Sequence, residues 1–152
     1  MVAGWREWLS MPGLDIRAIK VKLDTGARTS ALHATQITPF ERDGIPWVSF
    51  VVNPVQRGRK IVIECEAPVV NQRSVRSSSG QAEERYVIKT PVHLGGRKHA
   101  IEITLTNRDE MGFRMLLGRS AMKRWLLIDP SKSFLLGEKP PLVKEYQARE
   151  EA

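Results

Sequence analysis

The stretch KLDTGARTSALHA, residues 22–34, places one carboxylate, that of Asp24, at the end of an apolar alternation. Ile19, Val21 and Leu23 alternate with polar residues ahead of it, which predicts a half-buried strand. Ordinary strand-to-turn chemistry accounts for the Asp and the Gly, because Asp side chains cap turns and Gly adopts positive φ. The tripeptide Asp-Thr-Gly is therefore a weak functional signal by itself.

Size and composition are those of a single globular domain. The chain has 152 residues, of which 41% are apolar and 27% charged, enough to bury a core without disulfides or structural metal. Its single cysteine, Cys65, excludes an intramolecular disulfide, so we expect a reducing compartment and a cytoplasmic location. The first residues carry no long apolar run, and no stretch approaches the ~20 apolar residues of a membrane span, so neither a secretory signal nor a membrane partner is expected.

The charge of the chain favours acidic partners. The formal net charge is +7 and the sequence pI is about 9.9, and such a surface attracts anionic molecules. The cations are scattered and only 7% of the residues are aromatic, so no basic groove with stacking rings is visible and nucleic acid is not expected as a partner. A solvated surface of mixed charge explains the same numbers equally well.

Short apolar runs separated by Gly and Pro turns occur throughout the chain. They predict a mostly β barrel or sandwich, with one or two helical turns in residues 119–125. In residues 99–106 the apolar side chains alternate with Glu102, Thr104 and Thr106, which are predicted to form a polar face. The further strand candidates are residues 47–52, 60–65, 85–94, 114–118, 125–129 and 133–137.

Two polar segments are expected to lie outside the core. Residues 71–85 are rich in Ser and Arg, which predicts an exposed, mobile loop or hairpin tip. After Gly137 the chain is charged and contains Pro, so residues 138–152 are predicted to form a peripheral tail.

A second segment strengthens the Asp-Thr-Gly signal, because residues 116–119 read Leu-Leu-Gly-Arg, two apolar residues and a Gly ahead of the short helix. A strand followed by Asp-Thr-Gly-Ala, with such a segment downstream, resembles the signature pair of retropepsin-like aspartic proteases. The longer runs at residues 4–34, 73–88 and 115–137 are similar to one bacterial branch. Its members are often labelled ATP-dependent zinc proteases and are associated with the enzyme that adds glutamates to a ribosomal protein.

The resemblance implies an aspartic peptidase with a closed acid-protease barrel over residues 1–137 and one short helix. It implies a catalytic loop formed by Asp24, Thr25 and Gly26, in which Gly lets the backbone approach the carboxylate and Thr bonds across to a partner loop. A hairpin closing over the peptide substrate corresponds to residues 75–85. The implied substrate-binding residues are Ala27, Arg28, Ser78, Ser79 and Gly80. The implied supports behind the loop are Leu116, Leu117, Gly118 and Arg119.

Peptide hydrolysis by this route needs two carboxylates that share one proton, because like charges about 3 Å apart cannot both ionise. The chain contains one Asp-Thr-Gly, so the resemblance implies a homodimer in which each copy supplies Asp24. A monomer would need another acid. The candidates are Glu83, Glu84, Asp109 and Asp129, of which the last is typical of a turn acid before proline.

Arg28 and Thr29 depart from the family's pattern, in which acidic residues usually follow Asp-Thr-Gly-Ala and one of them pairs with the downstream Arg. Arg119 is therefore expected to lack its local partner. Arg28 beside the cleft favours an acidic peptide, such as an oligoglutamate tail, because a guanidinium binds carboxylates bidentately. Three arginines near the hairpin indicate the same substrate: Arg73, Arg76 and Arg85. Solvated loop residues are the plainer interpretation, and an inactive acidic-peptide-binding or regulatory module is the alternative function.

No metal or cofactor is predicted. The pattern His-Glu-x-x-His is absent, and the other potential zinc ligands are irregularly spaced: His33, His93, His99 and Cys65. The glycine-rich pattern of a phosphate-binding loop is also absent, so the sequence gives no indication of ATP use.

Overall fold

The computed structural model describes residues 1–55, 61–76, 80–107, 112–142, 144 and 146. Most of this part of the chain is extended. A 3-10 helix lies at Pro12–Leu14 and α1 at Arg119–Met122, and Leu142, Lys144 and Tyr146 are also helical. The strands are β1 Val2–Gly4, β2 Arg6–Met11, β3 Ile16–Asp24, β4 Ser30–His33, β5 Thr35–Arg42, β6 Ile45–Val52, β7 Ile63–Pro68, β8 Asn71–Arg76, β9 Ala82–Leu94, β10 Arg97–Thr106, β11 Met115–Gly118 and β12 Leu127–Asp129.

Six of these strands close into a barrel. The main sheet has the order β10-β4-β11-β3-β2-β9-β8, and β10 also pairs with β9, so the sheet returns to its own edge. Strand β8 remains outside the closed ring and extends β9 as a hairpin. The prediction of a mostly β, closed barrel with one short α-helix is confirmed, and the sandwich that the residues alone left open is wrong.

Two smaller sheets accompany the barrel. Strands β5, β6 and β7 form an antiparallel sheet, and β1 pairs in parallel with β12. The sequence did not predict β5, because its side chains are mostly exposed or half-buried and therefore carry no clear apolar alternation. Strand β7 begins at Ile63 rather than at residue 60, and residues 56–60 lie outside the described part of the chain.

The strand after residue 114 is inserted between the two strands that flank the Asp-Thr-Gly loop. β11 pairs in parallel with β3, with Gly118 opposite Asp24, and antiparallel with β4. A strand that lies between two strands joined by one loop holds both ends of that loop. The Asp-Thr-Gly loop is therefore fixed by a segment nearly a hundred residues downstream.

The barrel interior is filled by the apolar side chains of the alternating strands. Ile19, Val21 and Leu23 of β3 are buried, as are Ile103 and Leu105 of β10, in line with the predicted alternation. Burying each such side chain contributes about 1.5–3 kcal/mol. The opposite face of β10 differs from the prediction, because Thr104 and Thr106 are buried as well, with exposures of 1% and 2%.

Residues 133–137 were expected to form a closing strand, and this prediction is wrong. The segment is irregular, and the fully buried carboxylate of Glu7 binds its backbone instead. Glu7 accepts hydrogen bonds from the N–H groups of Leu135 at 3.0 Å, Leu136 at 3.1 Å and Gly4 at 2.6 Å. Because a side chain satisfies these donors, they are not available for a strand ladder.

The segment after Gly137 includes one buried anchor. Tyr146 is 2% exposed, and its hydroxyl donates to the Ala18 carbonyl at 2.6 Å and accepts from the Ala18 N–H at 3.1 Å. At this residue the expectation of a peripheral tail is wrong. No helix among the described residues is both long and apolar enough to cross a membrane.

Candidate active site

Asp24 is the last residue of β3, and its carboxylate is held by the turn that follows. Asp24 Oδ1 accepts the Gly26 N–H at 2.9 Å, and the Asp24 carbonyl accepts the Ala27 N–H at 3.2 Å. A Cβ atom on Gly26 would lie 3.1 Å from Asp24 Oδ1, tighter than an ordinary van der Waals contact. Gly26 does not adopt a positive φ, so close approach to the carboxylate, and not backbone conformation, accounts for the glycine.

The loop presents its polar groups at the molecular surface. Thr25, Gly26 and Arg28 are exposed, whereas Asp24 and Ala27 are half-buried. Within the described residues, the Thr25 hydroxyl has no hydrogen-bond partner and Arg28 forms no ion pair. The loop therefore has both a carboxylate and unused hydrogen-bonding capacity facing outward.

Gly118 lies directly behind the loop. A Cβ atom at this position would lie 2.5 Å from the Thr29 carbonyl oxygen and 3.0 Å from that of Ala27, so no larger residue fits without displacing the loop. The Gly118 N–H donates to Ser30 Oγ at 3.0 Å. Leu116 and Leu117 are buried beside it in β11, so this segment is packed into the barrel wall.

The start of α1 binds the loop through its backbone. The Arg119 N–H donates to the Ala27 carbonyl at 2.8 Å, and the Ser120 N–H donates to the Arg28 carbonyl at 3.2 Å. Arg119, which was expected to lack a local partner, donates from Nη1 to the Thr25 carbonyl at 3.3 Å. Three carbonyls of the loop are thus held by residues 119 and 120, and a carboxylate partner for Arg119 is not needed to fix the loop.

The polar segment at residues 71–85 contains the predicted hairpin. β8 and β9 pair in antiparallel fashion up to Arg76 and Ala82, and Arg76 Nη1 donates to the Gly80 carbonyl at 3.2 Å. Gly80 is exposed and has φ +86°, a conformation that favours glycine. Ser78 and Ser79 were assigned to substrate binding and lie outside the described residues, as does Ser77.

Two of the arginines that suggested an acidic substrate are occupied within the fold. Arg73 pairs with Glu102, and Arg85 Nε pairs with Glu83 at 3.0 Å. These two guanidiniums bind protein carboxylates, so the part of the substrate hypothesis that rested on them is weakened. The exposed Arg28 on the loop still supports that hypothesis.

A groove of about 370 Å³ borders the far end of the Asp-Thr-Gly loop at Thr29 and Ser30. Its walls carry the cations Lys89 and Lys123, neither of which forms an ion pair within the described residues. Along one side His99 and Trp125 stack with their ring centroids 4.0 Å apart. The sequence did not single out these lysines because they are far apart in the chain and line the same groove only in the folded barrel.

Two of the other acids considered as a second carboxylate, Glu83 and Asp129, have partners within the fold. Glu83 binds Arg85, and Glu84 is exposed. Asp129 Oδ1 accepts from the Ser131 hydroxyl at 2.6 Å and the Ser131 N–H at 2.9 Å, as predicted for a turn acid. These two hydrogen bonds, with a smaller contribution from the charge of Lys132, hold the pKa of Asp129 below its ordinary value. Asp109 lies outside the described residues.

The potential zinc ligands do not converge. Within the described residues, no group of three or more His, Cys, Asp or Glu side chains is placed to hold a metal ion. His99 stacks on Trp125, and Cys65 is buried with Sγ 3.5 Å from the Leu14 carbonyl oxygen. These residues do not fit a zinc site.

The class of protein follows from comparison of the whole chain with known families. Residues 2–139 match the RimB-like family, described as "Retropepsin-like aspartic endopeptidase RimB". The chain therefore belongs to this family, and the predicted resemblance to the retropepsin-like fold is confirmed.

The chain is also similar in sequence to part of several longer curated proteins. It is 53% identical over 144 residues to a probable alpha-L-glutamate ligase of Shewanella pealeana, covering 95% of this chain and 31% of that protein. It is 49% identical over 151 residues to a protein of the same name from Desulfotalea psychrophila, covering 98% of this chain and 32% of that protein. The chain thus spans about a third of the length of these curated relatives.

A solved structure agrees with the fold. The protein Lpg0085 of Legionella pneumophila, of unknown function, is 29% identical and superposes with a TM-score of 0.73. The match covers 89% of this chain and 97% of that protein.

Proposed function

We propose that this chain is an aspartic endopeptidase of retropepsin type, in which Asp24 supplies the carboxylate that activates water. The observation that carries the proposal is the geometry of the loop. The half-buried Asp24 carboxylate lies at the end of β3 and accepts the Gly26 N–H. The loop that follows it is held by Gly118, which binds Ser30, and by the backbone N–H groups at the start of α1. Such bracing from several elements is what a reacting group needs to keep its position.

The reaction needs no covalent intermediate. One ionised carboxylate takes a proton from water as the water oxygen attacks the scissile carbonyl carbon, and a second, protonated carboxylic acid gives its proton to the carbonyl oxygen. The resulting diol collapses when a proton is transferred to the amide nitrogen and the C–N bond breaks. The two acids titrate as a pair, so neither has a fixed role in the resting enzyme.

The second carboxylate is proposed to be Asp24 of another copy, related by a two-fold axis. Two observations support this. In the described part of the chain, the only hydrogen bond to the Asp24 carboxylate comes from Gly26, and the outward-facing Thr25 has an unused hydroxyl that an identical loop could bind.

The substrate is proposed to be an acidic peptide or protein segment, such as an oligoglutamate tail, processed in the cytoplasm. Arg28 on the loop, and Lys89 and Lys123 in the adjoining groove, supply positive charge without internal carboxylate partners among the described residues. The net charge of +7 acts in the same direction. The name alpha-L-glutamate ligase, carried by relatives that share this segment, is consistent with a glutamate-rich substrate.

The test is cleavage of a fluorogenic oligoglutamate peptide, alongside a neutral peptide of equal length, by wild type, Asp24→Asn and Asp43→Asn. Asp43 is exposed in the β5–β6 turn, so its replacement makes the same chemical change away from the loop. We expect Asp24→Asn to lower kcat by on the order of 1,000-fold or more and Asp43→Asn to leave it unchanged. Equal activity of wild type and Asp24→Asn would refute catalysis by this residue.

The second candidate function is an inactive module that binds an acidic segment. It is favoured because, among the described residues, the hydrogen bond to the Asp24 carboxylate comes from Gly26 and not from a second acid. In that case wild type binds the oligoglutamate peptide in calorimetry but does not cleave it, and Asp24→Asn binds with similar affinity. A Lys89→Gln, Lys123→Gln double variant would then lose affinity, since its two cations border the groove.

A further inference from the structure

The outer face of β10 carries two buried threonines that the base of the β8–β9 hairpin covers. Arg85 Nη1 lies 3.4 Å from Thr104 Oγ1, and the Thr106 hydroxyl lies 3.3 Å from Glu83 Oε2. Glu83 and Arg85 are two residues apart on β9, as the threonines are on β10. The two strands therefore meet through a pair of matched polar contacts.

Thr104 contacts the segment that follows the Asp-Thr-Gly loop through its side chain, whereas the Thr106 backbone carbonyl accepts the Ala34 N–H of that segment at 2.8 Å. The Thr104 hydroxyl donates to the Ser30 carbonyl at 3.0 Å, and Ser30 Oγ accepts the Gly118 N–H at 3.0 Å. Gly118 in turn lies opposite Asp24 and against the loop carbonyls. Hydrogen bonds thus form a continuous path from Arg85 on the hairpin to the strand that supports Asp24.

The ion pair between Arg85, where this path begins, and Glu83 is better protected from water than the other ion pairs of the described residues. The side chains of Arg85 and Glu83 are 10% and 22% exposed, whereas those of the other three pairs in the described residues are 37–50% exposed. A shielded charged pair is screened little by salt, and its geometry is held more firmly than that of a surface pair. At the other end, Gly118 has no space to absorb a shift, because loop carbonyls occupy the place of a side chain.

We propose that Thr104 is a positioning residue that couples the β8–β9 hairpin to the Asp24 loop. Arg85 at the base of the hairpin fixes the Thr104 hydroxyl, and Ser30 links that hydroxyl to Gly118 and the loop. The inference rests on the proposed peptidase function for its kinetic consequence, although the coupling itself is a property of the fold.

The kinetic test compares Thr104→Val with Thr106→Val in the full-length chain. Both variants remove one buried hydroxyl from the same strand while keeping the side-chain shape, so their losses of stability should be similar. We expect Thr104→Val to lower kcat about tenfold with KM within about twofold, because a small misplacement of the reacting group slows the chemical step. We expect Thr106→Val, whose hydroxyl bonds Glu83, to stay within about twofold of wild type in both constants. Thr104→Ser retains the hydroxyl and should restore kcat.

Equal kcat losses in the two Val variants, or no loss in Thr104→Val, would overturn the proposal. If wild type shows no Asp24-dependent cleavage, the peptidase assignment fails, and amide hydrogen exchange tests the coupling alone. Thr104→Val should then speed exchange of the Gly118 amide by at least about tenfold more than Thr106→Val does. Equal exchange rates in the two variants would show that the hairpin and the loop are independent.

Discussion

Gly118 pairs with Asp24 across strands β11 and β3, and the Thr29 carbonyl oxygen occupies the space 2.5 Å from where a side chain at residue 118 would begin. The residue behind the candidate catalytic carboxylate is therefore restricted by backbone atoms, which cannot rotate away as a side chain can. This relationship explains why a glycine is required in the second half of the sequence signature.

Gly118→Ala should destabilise the fold by about 1–3 kcal/mol, because overpacking against a fixed backbone forces the loop to move. Urea denaturation measures the change. Gly137→Ala is the matched control, since a Cβ atom there meets nothing within 4 Å and should change stability by less than about 0.5 kcal/mol. If the two variants have equal midpoints, the loop can move away from residue 118 without cost.

Mixing experiments test the proposed sharing of the catalytic pair between two copies. When an equal amount of Asp24→Asn is added to wild type and the subunits exchange, random pairing should leave about half of the original activity. Half of the wild-type chains are then combined with an inactive partner. Asp43→Asn serves as the control and should not reduce activity. Unchanged activity with Asp24→Asn would instead indicate that a single chain supplies both acids.

Glu7→Gln should destabilise the protein, because the buried carboxylate accepts three backbone N–H groups and the amide nitrogen of Gln cannot accept any. At least one buried donor is left without a partner, at a cost of about 1–3 kcal/mol. Guanidinium denaturation followed by tryptophan fluorescence measures it. Glu64→Gln on β7, where the side chain is exposed, should be nearly neutral. A neutral result for Glu7→Gln would mean that water or a rearranged segment replaces the lost acceptor.

Ser131→Ala should raise the pKa of Asp129, because the Ser131 hydroxyl is the largest cause of its depression. The pKa is followed by NMR titration of the carboxyl carbon. A carboxyl whose pKa is lower when folded than when unfolded adds stability above its unfolded pKa, and this contribution disappears as the pH falls through the folded pKa. Near neutral pH the variant should therefore be less stable than wild type by a constant amount. This difference in stability should disappear in strongly acidic solution. An unshifted pKa in the variant would assign the depression to the Ser131 N–H and Lys132.

Local pattern located the turn after Asp24, the Leu-Leu-Gly-Arg segment and the polar hairpin, and the family resemblance implied that the second segment supports the first. Asp24 and Gly118 each follow an apolar strand, and that arrangement is visible in a few neighbouring residues. The burial of Thr104 was not predictable in the same way. Alternation tells which side chains share a face of a strand, but it does not tell what covers the outer face, and here Arg85 from another strand covers it.

The Glu7 contacts were missed for a related reason. Leu135 and Leu136 are 128 and 129 residues from Glu7, so no local signal connects a single glutamate in an N-terminal strand to them. The run Phe-Leu-Leu at residues 134–136 predicted a strand because a short apolar run is typical of a buried strand. In the fold, Phe134 adopts φ +57° and stacks on Trp8, so packing is satisfied without extended pairing.

The insertion of β11 between the two strands around the loop also has a consequence for biosynthesis. Thr25 and Arg119 are 94 residues apart, and contacts between such distant positions form slowly, because a long stretch of chain must be closed first. Chains are synthesised from the N-terminus at about 5–20 residues per second. The Asp-Thr-Gly segment is therefore made several seconds before β11 and α1, which support it. A nascent chain that ends before β11 therefore contains the Asp-Thr-Gly sequence but cannot yet form the supported loop.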